Sequence, residues 1–335
     1  MKTLRILFLV LFAGLILSPA KAQQQRRPYD PTNPTVHDPV VAKQGDTYYL
    51  FCTGNGVSIL TSKDLKTWER AGSVFDKHPE WINDHLPEFR GHMWAPDIIF
   101  YDDLWHVFYS CSAFAKNTSL IGHATTPTLD PADPAYGWKD LGMIVESVPN
   151  RDLWNAIDPN IIVDESGTPW MNFGSFWEGM KLVKLTADMG AIAQPQEWYT
   201  ISRRERSFEL QDADPGDGAV EAPFIFEKDG MYYLFVSFDY CCRGLNSDYK
   251  IVVGRSPDVR GPYFDKDGRS LFQGGGSIVM QGNEKYAGVG HCSVYHFDGQ
   301  DYLFTHAYMI ADEGASKLLV RKLEWDAAGW PVVME

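Results

Sequence analysis

No apolar run in this sequence approaches the roughly 20 residues that a membrane-spanning helix needs. The run from Ile6 to Leu17 stops at twelve. It follows Lys2 and Arg5 and leads into Ser18-Pro19-Ala20-Lys21-Ala22, so residues 1–22 read as a secretory leader cleaved after Ala22. No cysteine stands beside that point to accept a lipid, and we expect a soluble mature protein, secreted or periplasmic. Positive charge is also short. The chain has 30 Lys and Arg against 44 Asp and Glu, a formal net charge of −14, and removal of Lys2, Arg5 and Lys21 with the leader makes the balance more negative. This argues against nucleic acid and anionic membranes as partners and leaves a neutral substrate open. Cysteine is sparse and odd in number, at 52, 111, 241, 242 and 292, with no zinc-like spacing. Cys52, Cys111 and Cys292 fall in or beside strand-like runs and read as buried free thiols. Cys241 and Cys242 are adjacent; they either close a vicinal disulfide in an oxidising compartment or remain thiols.

Aromatic residues, at 14% of a chain that is 44% hydrophobic, are plentiful. They suit β-structure or the stacking of sugar rings. After a lead-in at residues 23–35, rich in Gln, Arg and Pro and expected to be disordered, one pattern recurs five times. A polar residue precedes Pro and a β-branched apolar run, then comes a turn, then an aromatic run. It starts at His37-Asp38-Pro39, Trp94-Ala95-Pro96, Asp158-Pro159, Glu221-Ala222-Pro223 and, with Ser293 aligned to the prolines, at His291-Cys292-Ser293. The units recur about every 63 residues and consume the mature chain, which is the signature of radial repetition. Each holds a third strand-like run, such as Ile251-Val252-Val253, and a fourth is expected near Trp68, Trp138, Trp198, Tyr263 or Trp330. The predicted fold is therefore all-β: residues 36–335 form one five-bladed β-propeller with four antiparallel strands per blade. The long segments 76–93, 126–140 and 203–219 have room to build a binding surface.

First strands of a propeller line its channel, so Asp38, Trp94, Asp158, Glu221 and His291 should converge at one mouth. Each has an ordinary explanation taken singly. An Asp before Pro is usually a turn residue, a Trp at a strand start usually packs, and a His is usually a satisfied core group. Together, three carboxylates at related positions are more than structure requires. Crowded and buried, at least one would have a raised pKa, an arrangement suited to acid and base catalysis.

The same stretches resemble the family 43 glycoside hydrolases, and within them the endo-acting α-1,5-L-arabinanases. The resemblance runs from about His37 to the C-terminus, through His37-Asp38-Pro39, Met93-Trp94-Ala95-Pro96-Asp97, Asn155-Ala156-Ile157-Asp158-Pro159, Gly174-Ser175-Phe176-Trp177, Val220-Glu221-Ala222-Pro223, Asp239-Tyr240-Cys241-Cys242-Arg243-Gly244 and Gly290-His291. It implies Asp38 as general base, Glu221 as general acid, and Asp158 as the residue that raises the pKa of Glu221 and orients the sugar. It also implies contacts to arabinan or arabino-oligosaccharide from Trp94, Phe114, Ala115, Asn155, Ala156, Ile157, Ser175, Phe176 and Trp177, where members often read Phe-Gly in place of Phe114-Ala115. A calcium ion (Ca2+) held by His291 and water is implied as well. A fructan or sucrose hydrolase would show Asn-Asp-Pro-Asn near the start, which His37-Asp38-Pro39-Val40 is not. A non-catalytic binding propeller would have no reason to gather acids at one mouth. An exo-acting arabinofuranosidase or β-xylosidase of the same family is the closer rival.

Overall fold

The computed structural model describes residues 28–335; the expected leader and residues 23–27 lie outside that range. Runs rich in Val, Ile, Tyr and Phe with period-two alternation bury one or both faces as strands. The first repeat gives β1 (Val40–Gln44), β2 (Thr47–Cys52), the two-residue β3 (Gly54–Asn55), β4 (Ser58–Ser62) and β5 (Glu69–Ser73). Of these, β1, β2, β4 and β5 form blade one, while β3 crosses to the start of blade two. A short helix, α1 (Ile82–His85), precedes blade two, which is β6 (His92–Tyr101), β7 (Leu104–Ser112), β8 (Ser119–Thr126) and β9 (Lys139–Ser147). Blade three is β10 (Asn160–Val163), β11 (Pro169–Phe173), β12 (Met180–Lys184) and β13 (Trp198–Ser202). Blade four is β14 (Val220–Lys228), β15 (Met231–Phe238), β16 (Lys250–Ser256) and β17 (Ser277–Met280), and blade five is β18 (Tyr286–Phe297), β19 (Gln300–Met309), β20 (Ala315–Trp325) and β21 (Pro331–Val333). The five-bladed, four-stranded propeller is thus present. No helix among the described residues is long and apolar enough to cross a membrane.

Three expectations need correction. The fourth strand of blade four lies at Ser277–Met280 and not near Tyr263. Phe264 bridges back to Arg255 and on to Ser270, so a small loop sheet intervenes and Tyr263 is fully buried beneath it. Segment 126–140 joins β8 to β9, and antiparallel order puts that turn at the face opposite the strand starts. Gln44, at the far end of β1, holds it there through Thr128 Oγ1 at 2.8 Å and the Leu129 amide at 2.8 Å. Lastly, the lead-in is fixed from Pro31 onward: Pro31 O accepts from Trp68 N at 2.8 Å, Pro34 O from Leu318 N at 3.2 Å, and Val36 O from Ser316 Oγ.

Every blade comes from one contiguous stretch, so the ring closes without an exchanged strand. Closure rests instead on the segment 31–36 against β20 and on Ser293 Oγ, which donates to Pro39 O at 2.7 Å. Apolar clusters fill the four wedges between successive blades from one to five, for example Phe51 with Val107 and Tyr109, and Phe235 with Val294 and Leu303. Phe51, Phe108, Phe235 and Phe304 occupy the same register position on four second strands and are fully buried. Truncating one to Ala costs about 3–5 kcal/mol. Blade three has Asn172 there, and a buried polar network goes with it. Asp97 Oδ2 accepts from Ile161 N at 2.6 Å and from Asn160 Nδ2 at 3.1 Å, while Asn160 Oδ1 accepts from Asn172 Nδ2 at 2.8 Å and Ile225 N at 2.9 Å. These side chains bond the inner strands of blades two, three and four to one another just below the mouth.

Candidate active site

A bulge at the start of each first strand aims one side chain into the channel mouth. Asp38, Ala95, Asp158, Ala222 and His291 all have positive φ, between 37° and 57°, and the paired ladders slip by one residue at Ala95-Pro96, Ala222-Pro223 and His291-Cys292, where two residues stand opposite one. Bulges re-aim side chains in this way. The register corrects the sequence alignment. Cys292, not Ser293, stands where the other blades have proline, because the positive-φ residue of blade five is His291. Asp38, Asp158 and His291 are therefore true equivalents, while Trp94 and Glu221 precede their bulges by one residue. Gly290 is the matching residue of blade five, and a Cβ there would fall 2.1 Å from the Tyr249 ring. Tyr249 fills that space and hydrogen bonds to Glu221.

Each bulge N–H needs an acceptor, since a buried orphan amide costs about 1–3 kcal/mol. The end of the preceding blade's second strand supplies it. Thr53 Oγ1 accepts from Ala95 N at 2.8 Å, Ser110 Oγ from Asp158 N at 3.0 Å, Ser237 Oγ from His291 N at 2.8 Å, and His306 Nδ1 from Asp38 N at 3.1 Å. At the fifth joint the matching residue is Gly174, which has no side chain. Asp158 Oδ2 takes over and accepts from Ala222 N at 3.1 Å. Asp158 thereby holds the backbone beside Glu221, whose Oε2 accepts from Ser175 Oγ at 2.7 Å.

The electrostatics separate the acids. Asp38 Oδ1 lies 3.1 Å from His291 Nδ1 and 3.4 Å from His37 Nδ1, and Thr53 donates to its other oxygen. Burial pushes its carboxyl up, but the attraction and hydrogen bonds of His291 and His37 outweigh that and hold it well below the usual range. Glu221 is raised, first by burial and further by Asp38, against hydrogen bonds from Ser175 and Tyr249 and the attraction of His291. Asp158 is raised too, first by burial and then by Glu221 and Asp38, against His291. Burial, more than the like-charge repulsion anticipated from sequence, raises both acids of the pair. His291 is brought up to about 9; burial opposes its charge, and Asp38, Asp158 and Glu221 outweigh burial.

Of the other expected contacts, Trp94 is half-buried on blade two and donates from its indole to His92 Nδ1 at 3.0 Å. Phe114 is 74% exposed and Ala115 exposed on the β7–β8 turn of the same face. Ser175 touches Glu221, and Phe176 packs on Tyr240 with ring centroids 5.8 Å apart. The four remaining residues are buried. Ala156 is fully buried, Ile157 nearly so, Asn155 accepts from Ser119 Oγ at 2.6 Å, and Trp177 donates to Asp212 O at 2.9 Å. His37, Thr53, Ser237, Tyr249 and His306 were missed by sequence reasoning. A signal existed, because Thr53, Ser110, Ser237 and His306 each stand fifteen residues after their blade's bulge residue.

A calcium ion would find one side-chain donor at His291, Nε2 of the ring in its neutral form, since Nδ1 faces Asp38. Among the described residues the three-donor group close enough to hold a metal is His37, Asp38 and His306, within 4.8 Å, and His306 Nδ1 is already used by Asp38 N. Calcium takes about 6–8 oxygens, so the donor set fits an ion held mostly by water, with no protein cage.

The disulfide Cys241–Cys242 is formed, and Cys52, Cys111 and Cys292 are buried and free. Residues 31–331 match the profile described as glycosyl hydrolases family 43. The chain is 51% identical over 300 residues to an extracellular exo-α-(1→5)-L-arabinofuranosidase of Cellvibrio japonicus, covering 90% of this chain and 86% of that one. It is 38% identical over 325 residues to an extracellular endo-α-(1→5)-L-arabinanase of Bacillus subtilis, covering 96% and 94%. Its structure superposes on that of a Cellvibrio cellulosa α-L-arabinanase complexed with arabinohexaose with a TM-score of 0.89 at 50% identity, covering 90% and 96%. With acids, bulges and relatives in agreement, the chain belongs to the glycosyl hydrolases of family 43.

Proposed function

We propose that this glycoside hydrolase cleaves the α-1,5-L-arabinofuranosidic links of arabinan with inversion at the anomeric carbon. The observation that carries the reading is the divided electrostatics of the mouth: one carboxyl held ionised at Asp38, and a buried, raised pair at Glu221 and Asp158. Asp38, on blade one, takes a proton from the attacking water. Glu221, on blade four, donates its proton to the leaving oxygen as the glycosidic bond breaks. Blades one and four are not neighbours in a ring of five, which leaves room for a water between base and anomeric carbon; inverting enzymes need about 6.5–9.5 Å between carboxyls, against about 5–5.5 Å for retaining ones. Asp158 positions the backbone at Ala222 beside Glu221, while burial and the charge of Asp38 raise Glu221 toward its proton-donating form.

A bound calcium, water-held beside His291, would supply positive charge next to the ionised Asp38. Metal analysis with thermal melting, before and after chelation, tests it: release of calcium with a lower Tm supports the ion, and an unchanged melt with no calcium present removes it. Export through residues 1–22 is part of the proposal and is supported by the extracellular names of both relatives.

Internal cleavage is the mode expected from sequence. A second reading, release of arabinose or short oligosaccharides from chain ends, is favoured by the 51% identity to an exo-acting relative against 38% to an endo-acting one. Debranched linear arabinan separates them. Internal cleavage drops viscosity early with a ladder of oligosaccharides, end cleavage yields one short product while viscosity persists, and no new reducing ends would refute the proposal itself.

A further inference from the structure

We infer that the vicinal disulfide Cys241–Cys242 is a wall of the substrate mouth, contacting the arabinofuranose unit next to the scissile bond; this rests on the proposed function. The segment 239–249 joins β15 to β16, and antiparallel order puts it on the face of the strand starts. Its base is clamped: Asp239 pairs with Arg204 at 2.6 Å and Lys250 at 2.5 Å, and Asp248 Oδ1 accepts from Tyr240 N at 2.9 Å. From there it spans the supports of both catalytic candidates. On one side the Tyr240 ring meets Phe176, the residue after Ser175, whose hydroxyl donates to Glu221. On the other side Cys242 N donates to Tyr308 Oη at 2.8 Å, Tyr308 Oη lies 3.1 Å from His37 Nε2, and His37 Nδ1 faces Asp38 Oδ1.

The two sulfurs therefore lie on the rim between the acid and the base. Cys242 is exposed and Cys241 half-buried, while the other cysteines are buried. With the Cys242 amide bound inward by Tyr308, the outward surface is the polarisable disulfide itself. Thioether and disulfide sulfur packs well on C–H and ring surfaces, and it offers no donor to compete for sugar hydroxyls. Arg243, with its guanidinium 3.7 Å from the Tyr240 ring centroid, extends the same surface with polar groups for those hydroxyls. The ligand class is a pentofuranose with an exocyclic methylene at its linkage, which presents an apolar edge to such a wall.

Treating the folded enzyme with tris(2-carboxyethyl)phosphine tests this directly, because the three remaining cysteines are already unpaired. Denatured thiol counting verifies that two new thiols have formed. The expected result is a rise of about fivefold in KM for linear arabino-oligosaccharides, with kcat within about twofold and the melting curve cooperative, the pattern of lost ground-state and transition-state binding in equal measure. The double variant Cys241→Ser, Cys242→Ser should behave as the reduced enzyme does. Unchanged KM and kcat after verified reduction overturns the inference alone, as does a fall in kcat at constant KM, which would mark a structural role. Absence of arabinan cleavage by the oxidised enzyme overturns the functional reading and this inference together.

Discussion

At the scale of single residues, the account assigns unlike tasks to three acids that a sequence presents as similar. Glu221→Ala removes the proton donor, so activity on arabinan should fall by about 10²–10⁴ while an aryl arabinofuranoside with a good leaving group retains far more. Asp38→Ala removes the base and should inactivate both; equal losses for the two variants on both substrates would contradict the division. Asp158 combines charge with an amide-binding role made necessary by Gly174. Asp158→Asn keeps an oxygen for Ala222 N and should melt near wild type, whereas Asp158→Ala orphans that amide and should lose about 1–3 kcal/mol of stability. Equal melting of the two variants would show that the hydrogen bond does not matter. The acids themselves were legible because carboxylates beside proline recur at a fixed period. Their division was not, since it depends on His291 and His37 lying against Asp38 and on burial of Glu221, neither of which a linear pattern encodes.

At the scale of elements, the first strands are held as a ring by side chains in place of a ladder, and one of those side chains titrates. Burial raises Asp97 to about 7, against hydrogen bonds from Ile161, Ile98 and Asn160. The folded state then binds this proton more tightly than the unfolded chain does, so its contribution to stability is present at low pH and is lost as pH rises from about 4 to about 7. In blade two the stacked pair His106 and His123 works in the opposite sense. Burial lowers both, His123 to about 3, so stability falls as pH drops below about 6.5 and the unfolded chain takes up protons. Asp97→Asn keeps the acceptor and removes the charge; its melting temperature relative to wild type should rise between pH 4 and pH 8. A constant difference across that range would exclude the buried-carboxyl account. Element positions followed from sequence wherever a proline or an aromatic run marked them. They slipped at Cys292, where cysteine stands in for proline, and at Tyr263, where an aromatic marks a buried loop instead of an outer strand.

At the scale of the whole molecule, five equal units make one channel, and function comes from the ways in which they differ. Gly174 replaces a capping side chain, Gly290 makes way for Tyr249, and His291 takes the bulge position that Asp38 and Asp158 hold elsewhere. The period, the blade count and the convergence at one mouth could be derived from spacing alone, because radial repetition forces equivalent residues together. The closure through residues 31–36 could not, since it uses backbone acceptors that any residue carries. The central claim is that base and acid face each other across this ring with a water between them. Early-time proton NMR of the products released from linear arabino-oligosaccharides tests it most directly. The account predicts that the newly formed reducing end first appears as the β-anomer and equilibrates later; a first-formed α-anomer would contradict it.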